Sequence, residues 1–277
     1  MVIQHNIAAI NSYRNLSTNQ SALSKNLEKL SSGYRINRAG DDAAGLAISE
    51  SMRAQINGLN QAVSNSNDAI GLIQTAEGAL TETHSMLQRM KTLTTQASNG
   101  TYTSTARENI DAELTALKDE IDRIAGTTQF NNVNPLAAKG NMTFQIGATS
   151  VSMNKMTVAI ESMTTKALGI KEISVSGGTD AQNVKRANSA MSAINKAIDQ
   201  VSAYRAKLGA AQNRLEHTIN NLKVTSENLT SAESRIRDTD MADEITSYTK
   251  NNILQQAAQS MLSQANSMPQ GVLSMLQ

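Results

Sequence analysis

The sequence predicts a mainly α-helical fold: a long antiparallel helical bundle with a small β-hairpin region and a terminal N/C coiled coil. Apolar residues recur at alternating steps of three and four over long stretches, which is the spacing of helices that pack along a narrow seam. Only 3% of the residues are aromatic and none is Trp. Because the bulky groups of a thick globular core are scarce, burial has to rely on Leu, Ile, Val, Met and Ala between long helices.

Two long helices carry the clearest pattern. Heptad spacing continues through residues 184–236 without Pro or Gly on the seam, which predicts one helix on the order of 80 Å long at ~1.5 Å per residue. A matching run over residues 45–87, before the turn signal at 98–100, predicts its partner. The predicted seam positions include Ala187, Met191, Ile194, Ile198, Val201, Arg205, Leu208, Gln212 and Leu215 in the first helix and Leu59, Val63, Ser66, Ile70, Ile73, Glu77, Leu80, His84 and Leu87 in the second.

A shorter helix and a hairpin complete the predicted bundle. Apolar residues from Ile110 to Ile124 are spaced for one more helix, which is expected to stop at Gly126. In residues 130–178 the pattern changes, and Met142 and Phe144 alternate with polar residues in the manner of a strand. The whole stretch 45–236 is therefore predicted to form a rod-like helical bundle domain with a β-hairpin region at 130–178.

The two chain ends are predicted to pair as an inner-core coiled-coil domain, residues 1–44 plus 237–277. Each end has a narrow apolar stripe that its own helix cannot bury, so the ends are expected to pair with each other or with other copies. Residues 1–40 carry five basic and one acidic side chain (+4), and residues 238–277 carry four acidic and one basic (−3), which favours pairing within one chain. The predicted coiled-coil positions are Leu16, Leu23, Leu27, Leu30, Leu254, Ala258, Met261, Ala265 and Val272.

A cluster of glycines and charges lies where the terminal segments meet the bundle. Glycine tolerates the bent backbone that such a connection needs. We expect Arg35 and Arg38 to pair with carboxylates where the two connecting segments cross, and we hypothesise that this cluster fixes the angle between the domains. The predicted connector residues are Arg35, Arg38, Gly40, Asp41, Asp42, Gly45, Asp238 and Asp240.

Composition excludes several classes of function. With 25 Lys and Arg against 24 Asp and Glu, the net charge of +1 provides no electrostatic footprint for nucleic acid or an anionic membrane. The absence of Cys removes disulfides and thiolate chemistry. No segment approaches the length of an apolar membrane span, and the N-terminus does not have the pattern of a cleavable signal peptide.

No catalytic, cofactor or metal site is predicted. Of the three histidines, His84 and His217 are predicted to lie on facing helices, but packing or surface roles are favoured over a metal pair. Asp238 and Asp240 have the spacing that begins a calcium loop, yet the glycine and terminal glutamate of that motif are missing, so a role at a helix N-terminus is favoured. Phosphate-loop, nucleophile-elbow and zinc-protease motifs are missing as well, and an enzyme is not expected.

Three segments carry a resemblance to a known family. They read LSSGYRINRAGDDAAGLAI at 30–48, RAKLGAAQNRL at 205–215 and DTDMADE at 238–244. In this order, and with the tail that follows, they resemble the hallmark segments of bacterial flagellins over the whole chain. Because nothing separates the hairpin region from the long C-terminal helix, the chain resembles a minimal flagellin with inner coiled-coil and outer helical-bundle domains only.

The resemblance implies a structural subunit that polymerises into the flagellar filament used for motility. In that family the terminal helices line the filament core and the bundle forms the tube wall. The resemblance also implies export through the flagellar type III route to an extracellular filament, or a periplasmic one if the source is a spirochaete. The implied partners are other copies of the chain, an export chaperone on the C-terminal segment, and the filament cap and junction proteins.

A further implication concerns innate recognition. Arg89, Leu93 and Glu113 match the patch by which the Toll-like receptor that senses flagellin binds many family members, whereas Thr92 stands where an acidic residue is often found. The same surface is alternatively expected to pack against neighbouring subunits. Two rival functions remain: a flagellin-like hook-filament junction protein, and a secreted monomeric interaction module that acts on a host receptor.

Overall fold

The computed structural model describes the chain from His5 to Met275, with side chains except those of Asp180, Pro269, Gln270 and residues 272–275. The predicted coiled-coil position Val272 therefore has its side chain outside the described part. Five helices dominate, and the one sheet of the described residues is a two-stranded antiparallel hairpin, which confirms the predicted fold class. The elements are α1 Ile7–Ser32, α2 Ala43–Ala97, α3 Ser104–Thr127, β1 Gly140–Gln145, β2 Lys155–Ile160, α4 Asp180–Arg237 and α5 Met241–Met275.

The chain divides into two compact units. We call the described residues up to Ile56 together with those from Glu227 onward the terminal unit, and Asn57–Ser226 the bundle unit. α2 and α4 each contribute residues to both units.

In the bundle unit, α2 and α4 bury large and small residues along their seams, and over part of each seam the two kinds alternate. The small members let the helix backbones approach, and the large members fill the remaining space, as in interdigitated cores. The alternating buried residues are Ala69, Ile73, Ala76 and Leu80 in α2 and Ala190, Ile194, Ala197 and Val201 in α4, whereas Tyr204 and Leu208 follow Val201 as further large residues.

The predicted seams were therefore half correct. From Leu59 to Leu87 and from Ala187 to Leu215 every second predicted position is buried, for example Ile194 and Val201, but the position between them is Ala197 rather than the predicted Ile198. The same shift by one residue replaces Glu77 with Ala76 in α2. The prediction followed spacing alone and accepted polar residues on the seam, although a small apolar side chain stood one position earlier.

A buried arginine connects the end of α2 to α3. Arg107 is fully buried, and its guanidinium donates hydrogen bonds from Nε to the carbonyl oxygen of Ala97 (3.1 Å) and from Nη2 to that of Asn99 (3.1 Å). These carbonyls follow the last turn of α2, where the helix leaves acceptors without a partner of its own. On the other side of the turn, the hydroxyl of Thr103 accepts from the Ala106 N–H and caps α3.

The hairpin and the segment after it pack onto the helices. β1 and β2 pair in the register Gly140↔Ile160, and every second residue of β2 is buried. Further along, carboxylates of α3 accept hydrogen bonds from this segment: Asp111 from the Val175 N–H (3.0 Å), and Asp122 from the Thr165 N–H (2.7 Å). The irregular chain is thereby fixed by backbone hydrogen bonds to side chains of a helix.

Arg107→Met should destabilise the bundle unit. The substitution leaves the carbonyls of Ala97 and Asn99 without their buried donor, and losses of this kind cost roughly 2 to 4 kcal/mol of unfolding free energy. Urea unfolding of the monomer, followed by circular dichroism, measures this change. The control Arg123→Met removes an exposed ion pair with Glu120 on the same helix and should change stability far less, so equal effects of both substitutions would contradict the capping role of Arg107.

Candidate functional site

The two terminal helices form an antiparallel pair. Near one end the Asn6 side-chain amide donates to the Ala265 carbonyl oxygen (2.8 Å), and near the other Lys29 Nζ lies 3.7 Å from Glu244 Oε2. Between these contacts α1 and α5 pack along their length, and the Gln255 side chain hydrogen-bonds that of Gln20. The ends of one chain thus pair with each other, as predicted, and a basic residue of α1 meets an acidic residue of α5.

The seam between these helices is unusually polar. Leu23 and Asn26 are its buried members on α1, and Ala265 is the buried member on α5. The Nδ2 atom of Asn26 and the Oε1 atom of Glu244 are buried without a hydrogen-bond partner among the described residues. The half-buried residues that continue the heptad spacing are Ala9, Ser12, Leu16, Asn19 and Leu30 on α1 and Glu244, Tyr248, Asn251, Gln255, Ala258 and Leu262 on α5.

Three of the predicted seam residues lie elsewhere. Leu27 is 48% exposed, Leu254 41% and Met261 64%, so these positions were wrong as members of the seam within the chain. The reason is a rotation by about one residue: Asn26 occupies the place predicted for Leu27, and Leu262 the place predicted for Met261. Of the other predicted positions, Leu23 and Ala265 are buried, and Leu16, Leu30 and Ala258 are half-buried.

Both helices therefore keep an apolar face that the pair does not cover. Single exposed apolar residues are ordinary, but a row of them on two neighbouring helices is typical of an interaction surface. Between the helices this surface includes a groove of about 340 Å³, lined in part by Leu254 and Met261. The exposed apolar residues are Ile7, Ile10, Tyr13, Leu27, Ile245, Ile253, Leu254, Met261 and Met268.

The connector is a short stretch of backbone pairing. After α1 ends at Gly33, in the left-handed conformation, the Arg35 N–H donates to the carbonyl oxygen of Arg237 (2.7 Å). The Thr239 N–H donates back to the carbonyl oxygen of Gly33 (3.0 Å), so the two connecting segments pair like strands.

The side chains of the connector pair differently from our expectation. Arg38 Nε forms its ion pair with Glu28 of α1 (2.7 Å), and Arg35 Nη2 donates to a backbone carbonyl, that of Ile236. The predicted ion pairs of Arg35 and Arg38 with Asp41, Asp42, Asp238 or Asp240 are not among the salt bridges of the described residues.

The connector carboxylates accept hydrogen bonds from the main chain instead. Asp41 accepts from the N–H groups of Asn37 and Arg38, at 3.1 and 3.0 Å. Asp42 precedes α2 and accepts from the Gly45 N–H (2.9 Å), and Asp240 precedes α5 and accepts from the Ala242 N–H (2.9 Å). These donors lie two to four residues away along the chain, so the hydrogen bonds form without ordering a second segment.

The predicted glycines have different surroundings. A Cβ at Gly45 would lie 2.5 Å from the Asp42 carboxylate and 2.8 Å from the buried Ile36, so no larger residue fits the start of α2 without movement. Gly40 has open space around it. Asp238 takes part in the strand-like bridge with Tyr34.

Sequence reasoning missed an ion-pair network beside the connector. Arg53 Nη2 lies 3.0 Å from Glu233 Oε1, and Glu50 Oε1 contacts both Arg53 (3.7 Å) and Arg237 (2.5 Å). The Arg237 guanidinium also lies 4.8 Å from the centroid of the Tyr34 ring. The only advance signal was the acidic and basic residues near the adjoining ends of α2 and α4, which spacing analysis does not pair.

One carboxyl of this ion-pair network and one of the connector have lowered pKa values. The hydrogen bond from Arg237 lowers the pKa of Glu50 from its usual value of 4.5, and the charges of Arg237 and Arg53 add to this effect against desolvation. Backbone hydrogen bonds from Arg38 and Asn37 lower the pKa of Asp41 from 3.8. Both shifts mean that the folded terminal unit favours the ionised carboxylates.

The predicted receptor patch lies on the bundle unit and is only partly exposed. Arg89 Nε forms an ion pair with Glu113 Oε1 (2.8 Å) between α2 and α3, and both side chains are accessible. Leu93, however, is 2% exposed and belongs to the core between the helices, so its place in a surface patch was wrong. Beside the ion pair, Lys91, Thr92 and neighbouring polar residues line a groove of about 730 Å³.

The described residues offer few other candidate sites. They contain no group of three or more His, Asp or Glu side chains close enough to hold a metal ion. His84 Nε2 contacts the side chain of Gln88 at 2.9 Å, a neighbour one turn along the same helix. No helix within residues 5–275 combines the length and apolarity of a membrane span.

Comparison with known proteins identifies the family of this chain. Residues 3–141 match the bacterial flagellin N-terminal helical region, and residues 191–276 match the bacterial flagellin C-terminal helical region. The chain belongs to the bacterial flagellin family. It is thus a structural subunit of a flagellar filament, a class of protein whose activity is self-assembly, and the paired terminal helices α1 and α5 lie in the first and second matched regions.

Individual relatives agree with the family model. A flagellin of Bacillus subtilis (strain 168) is 53% identical, and the alignment covers 100% of both chains. A flagellar filament 33 kDa core protein of Treponema phagedenis is 46% identical, again over 100% of both. Among solved structures, the crystal structure of Bacillus cereus flagellin is 31% identical, with a TM-score of 0.47 over 61% of this chain and 94% of that one.

Glu50→Gln should destabilise the terminal unit in a pH-dependent way. Because the folded pKa of Glu50 is lowered, its contribution is present above the ordinary value of 4.5 and is lost as the pH falls through the folded pKa. Thermal unfolding of both proteins should show a lower Tm for the variant at neutral pH and a difference that vanishes in acid. Glu82→Gln, an exposed change of equal charge in the bundle unit, is the control; a Tm difference that did not change with pH would refute the ionic role of Glu50.

Proposed function

We propose that the terminal unit lines the core of the flagellar filament and supplies the contacts that drive polymerisation, while the bundle unit forms the tube wall. The observation that carries this proposal is the uncovered apolar face of the α1–α5 pair, with members on both helices such as Ile10, Tyr13, Ile253 and Met261. A monomeric protein gains nothing from such a surface, and burial of it between copies provides the driving force of assembly.

The polar seam supports the same division of roles. Within the chain, α1 and α5 recognise each other through hydrogen bonds and one ion pair, which fix register more than they add stability. Large apolar side chains such as Leu254 and Met261 are exposed and therefore remain available for contacts with other copies. Register is therefore set within one subunit and cohesion comes from its neighbours.

Met261→Glu should prevent or strongly weaken filament formation. A carboxylate buried without a partner at each copy of the interface is expected to raise the critical concentration by at least about tenfold. Because Met261 is exposed, the monomer should keep its helix content and its Tm. Sedimentation of polymer and electron microscopy measure assembly, and circular dichroism measures folding.

Ser263→Glu is the matched control for this substitution. It places the same charge two residues further along α5, at an exposed polar position. If assembly through the apolar face is correct, Ser263→Glu chains polymerise much better than Met261→Glu chains. Equal polymerisation of the two variants would contradict the proposed interface.

We propose a flagellar type III export route, with the filament outside the cell or, in a spirochaete, in the periplasm. An export chaperone is proposed to cover the C-terminal segment before assembly, since the exposed apolar residues of α5 would otherwise associate early. The filament cap and junction proteins are proposed partners at the two ends of the polymer. Family membership supports these roles.

A second proposed function is recognition by the Toll-like receptor that senses flagellin. The ion pair of Arg89 with Glu113 favours this proposal, because it presents a guanidinium fixed in one orientation on an accessible surface. Leu93 lies in the core beneath the patch, where it packs α2 against the other helices, and is not proposed to contact the receptor.

Arg89→Ala should weaken binding of the monomer to the receptor ectodomain on the order of tenfold, as expected for an arginine near the centre of an interface. Surface plasmon resonance with the immobilised ectodomain measures this change. Arg123→Ala, which removes another exposed arginine in an ion pair, is the control and should leave affinity unchanged. Equal affinities of wild type and Arg89→Ala would remove Arg89 from the patch.

A further inference from the structure

The turn between α2 and α3 contains an Asn–Gly pair in an unusual setting. Asn99 and Gly100 are both exposed, and they follow directly after the buried end of α2. We propose that Asn99 is a site of spontaneous deamidation, and that the fold of this turn promotes the reaction. The proposal concerns a covalent modification and is independent of filament assembly.

The reaction uses only the chain and water. The Gly100 backbone nitrogen attacks Cγ of Asn99 and loses its proton, and the C–N bond of the side-chain amide breaks to release ammonia. The resulting five-membered succinimide then adds water at one of its two carbonyl carbons. The product is either aspartate or isoaspartate, in which the main chain runs through the former side chain.

Access to the attacking nitrogen is favourable. The Gly100 N–H has no acceptor among residues 5–275, so no hydrogen bond has to break before attack. A Cβ built at Gly100 would meet nothing within 4 Å, and the glycine itself presents no side chain that would hinder the approach. The nucleophile is thus unprotected both sterically and by hydrogen bonding.

The electrophile is held in place and polarised. Asn99 Oδ1 accepts a hydrogen bond from the Thr101 N–H (3.3 Å), which folds the carboxamide back over the Gly100 peptide group. Oδ1 is the atom that gains negative charge when Gly100 attacks, and a hydrogen-bond donor already aimed at it stabilises that charge. The turn therefore supplies both proximity and a donor for the developing oxyanion.

The chain contains its own internal comparison. A second Asn–Gly pair, Asn57-Gly58, lies inside α2, where the Gly58 N–H is engaged in the helical hydrogen-bond ladder. A Cβ at Gly58 would stand 2.8 Å from that of Ala148, so this segment is also packed. The same dipeptide should therefore remain intact there.

Modification at Asn99 would disturb an anchored turn. The Asn99 carbonyl oxygen accepts from the buried Arg107 guanidinium (3.1 Å), and the adjacent Ser98 hydroxyl donates to Asn188 of α4 (2.8 Å). In isoaspartate the main chain gains one carbon between Cα of residue 99 and the Gly100 nitrogen, and the former Asn99 carbonyl group becomes a free carboxylate, so the contact with Arg107 no longer fixes the main chain of the turn. The new carboxylate also adds negative charge to the polar groove that contains Lys91.

The test is mass spectrometry of the full chain during incubation at mildly alkaline pH. Trypsin releases residues 92–107, in which Asn99 is the only asparagine, and residues 54–89, in which fragment ions locate Asn57. The conversion of amide to acid should accumulate at Asn99 and stay at its starting level at Asn57. A synthetic peptide of residues 92–107 provides the rate in the absence of the fold.

Gly100→Ala is the matched variant, since the structure has room for its methyl group and no left-handed conformation is needed at this position. It should slow conversion of Asn99 several-fold while leaving the Tm of fresh protein unchanged, and aged wild type should lose Tm relative to aged Gly100→Ala. Persistence of the Asn99 amide while the free peptide converts would overturn the proposal. Equal rates at Asn99 and Asn57, or in wild type and Gly100→Ala, would overturn it as well.

Discussion

Burial in this chain is confined to narrow seams between helices, and the rest of the structure follows from that constraint. With an aromatic content of 3% there is no set of large side chains to fill a thick core. The bundle unit solves this by alternating small and large seam residues, as in Ala69, Ile73, Ala76 and Leu80 of α2. The helix backbones approach closely at the small residues, and the large residues fill the remaining space, so side chains of moderate size still pack densely.

The same constraint explains what the sequence could and could not predict. Element types and approximate limits were predictable because heptads, turn signals and glycines are local features, and the long α4 appears where its spacing indicated. The residues that form the seams were only half predictable. An alanine such as Ala197 is less hydrophobic than its neighbour Ile198, and Ala76 is easily passed over in a pattern based on spacing alone. Leu93 illustrates the converse, since a family resemblance placed on the surface a residue that helix packing buries.

The connector shows why charge patterns are a poor guide to contacts. Basic and acidic residues are concentrated there, and pairing across the two segments seemed the natural result. In the structure the carboxylates of Asp42 and Asp240 begin helices, and the segments are joined by main-chain hydrogen bonds such as that from Arg35 to Arg237. Helix starts leave N–H groups that need acceptors, and a carboxylate reaches these nearby donors at a lower entropic cost than it reaches a distant arginine. Ion pairs between residues that are distant in the sequence, such as Arg53 and Glu233, could not be predicted from sequence spacing.

The terminal pair of helices, α1 and α5, also buries little apolar surface within one chain. Its seam leaves two polar atoms, Asn26 Nδ2 and Glu244 Oε1, buried without a partner in the described part of the chain, and each such atom costs about 1 to 3 kcal/mol. Several of its large apolar side chains, such as Leu254 and Met261, are exposed, so the pair gains less free energy from burial within one chain than its length suggests. In the proposed filament, neighbouring copies would cover the apolar face without changing the seam, so the pair would be weak but in register before assembly and strong afterwards. Under this proposal, one arrangement of residues on two helices would set the register within a subunit and the cohesion between subunits.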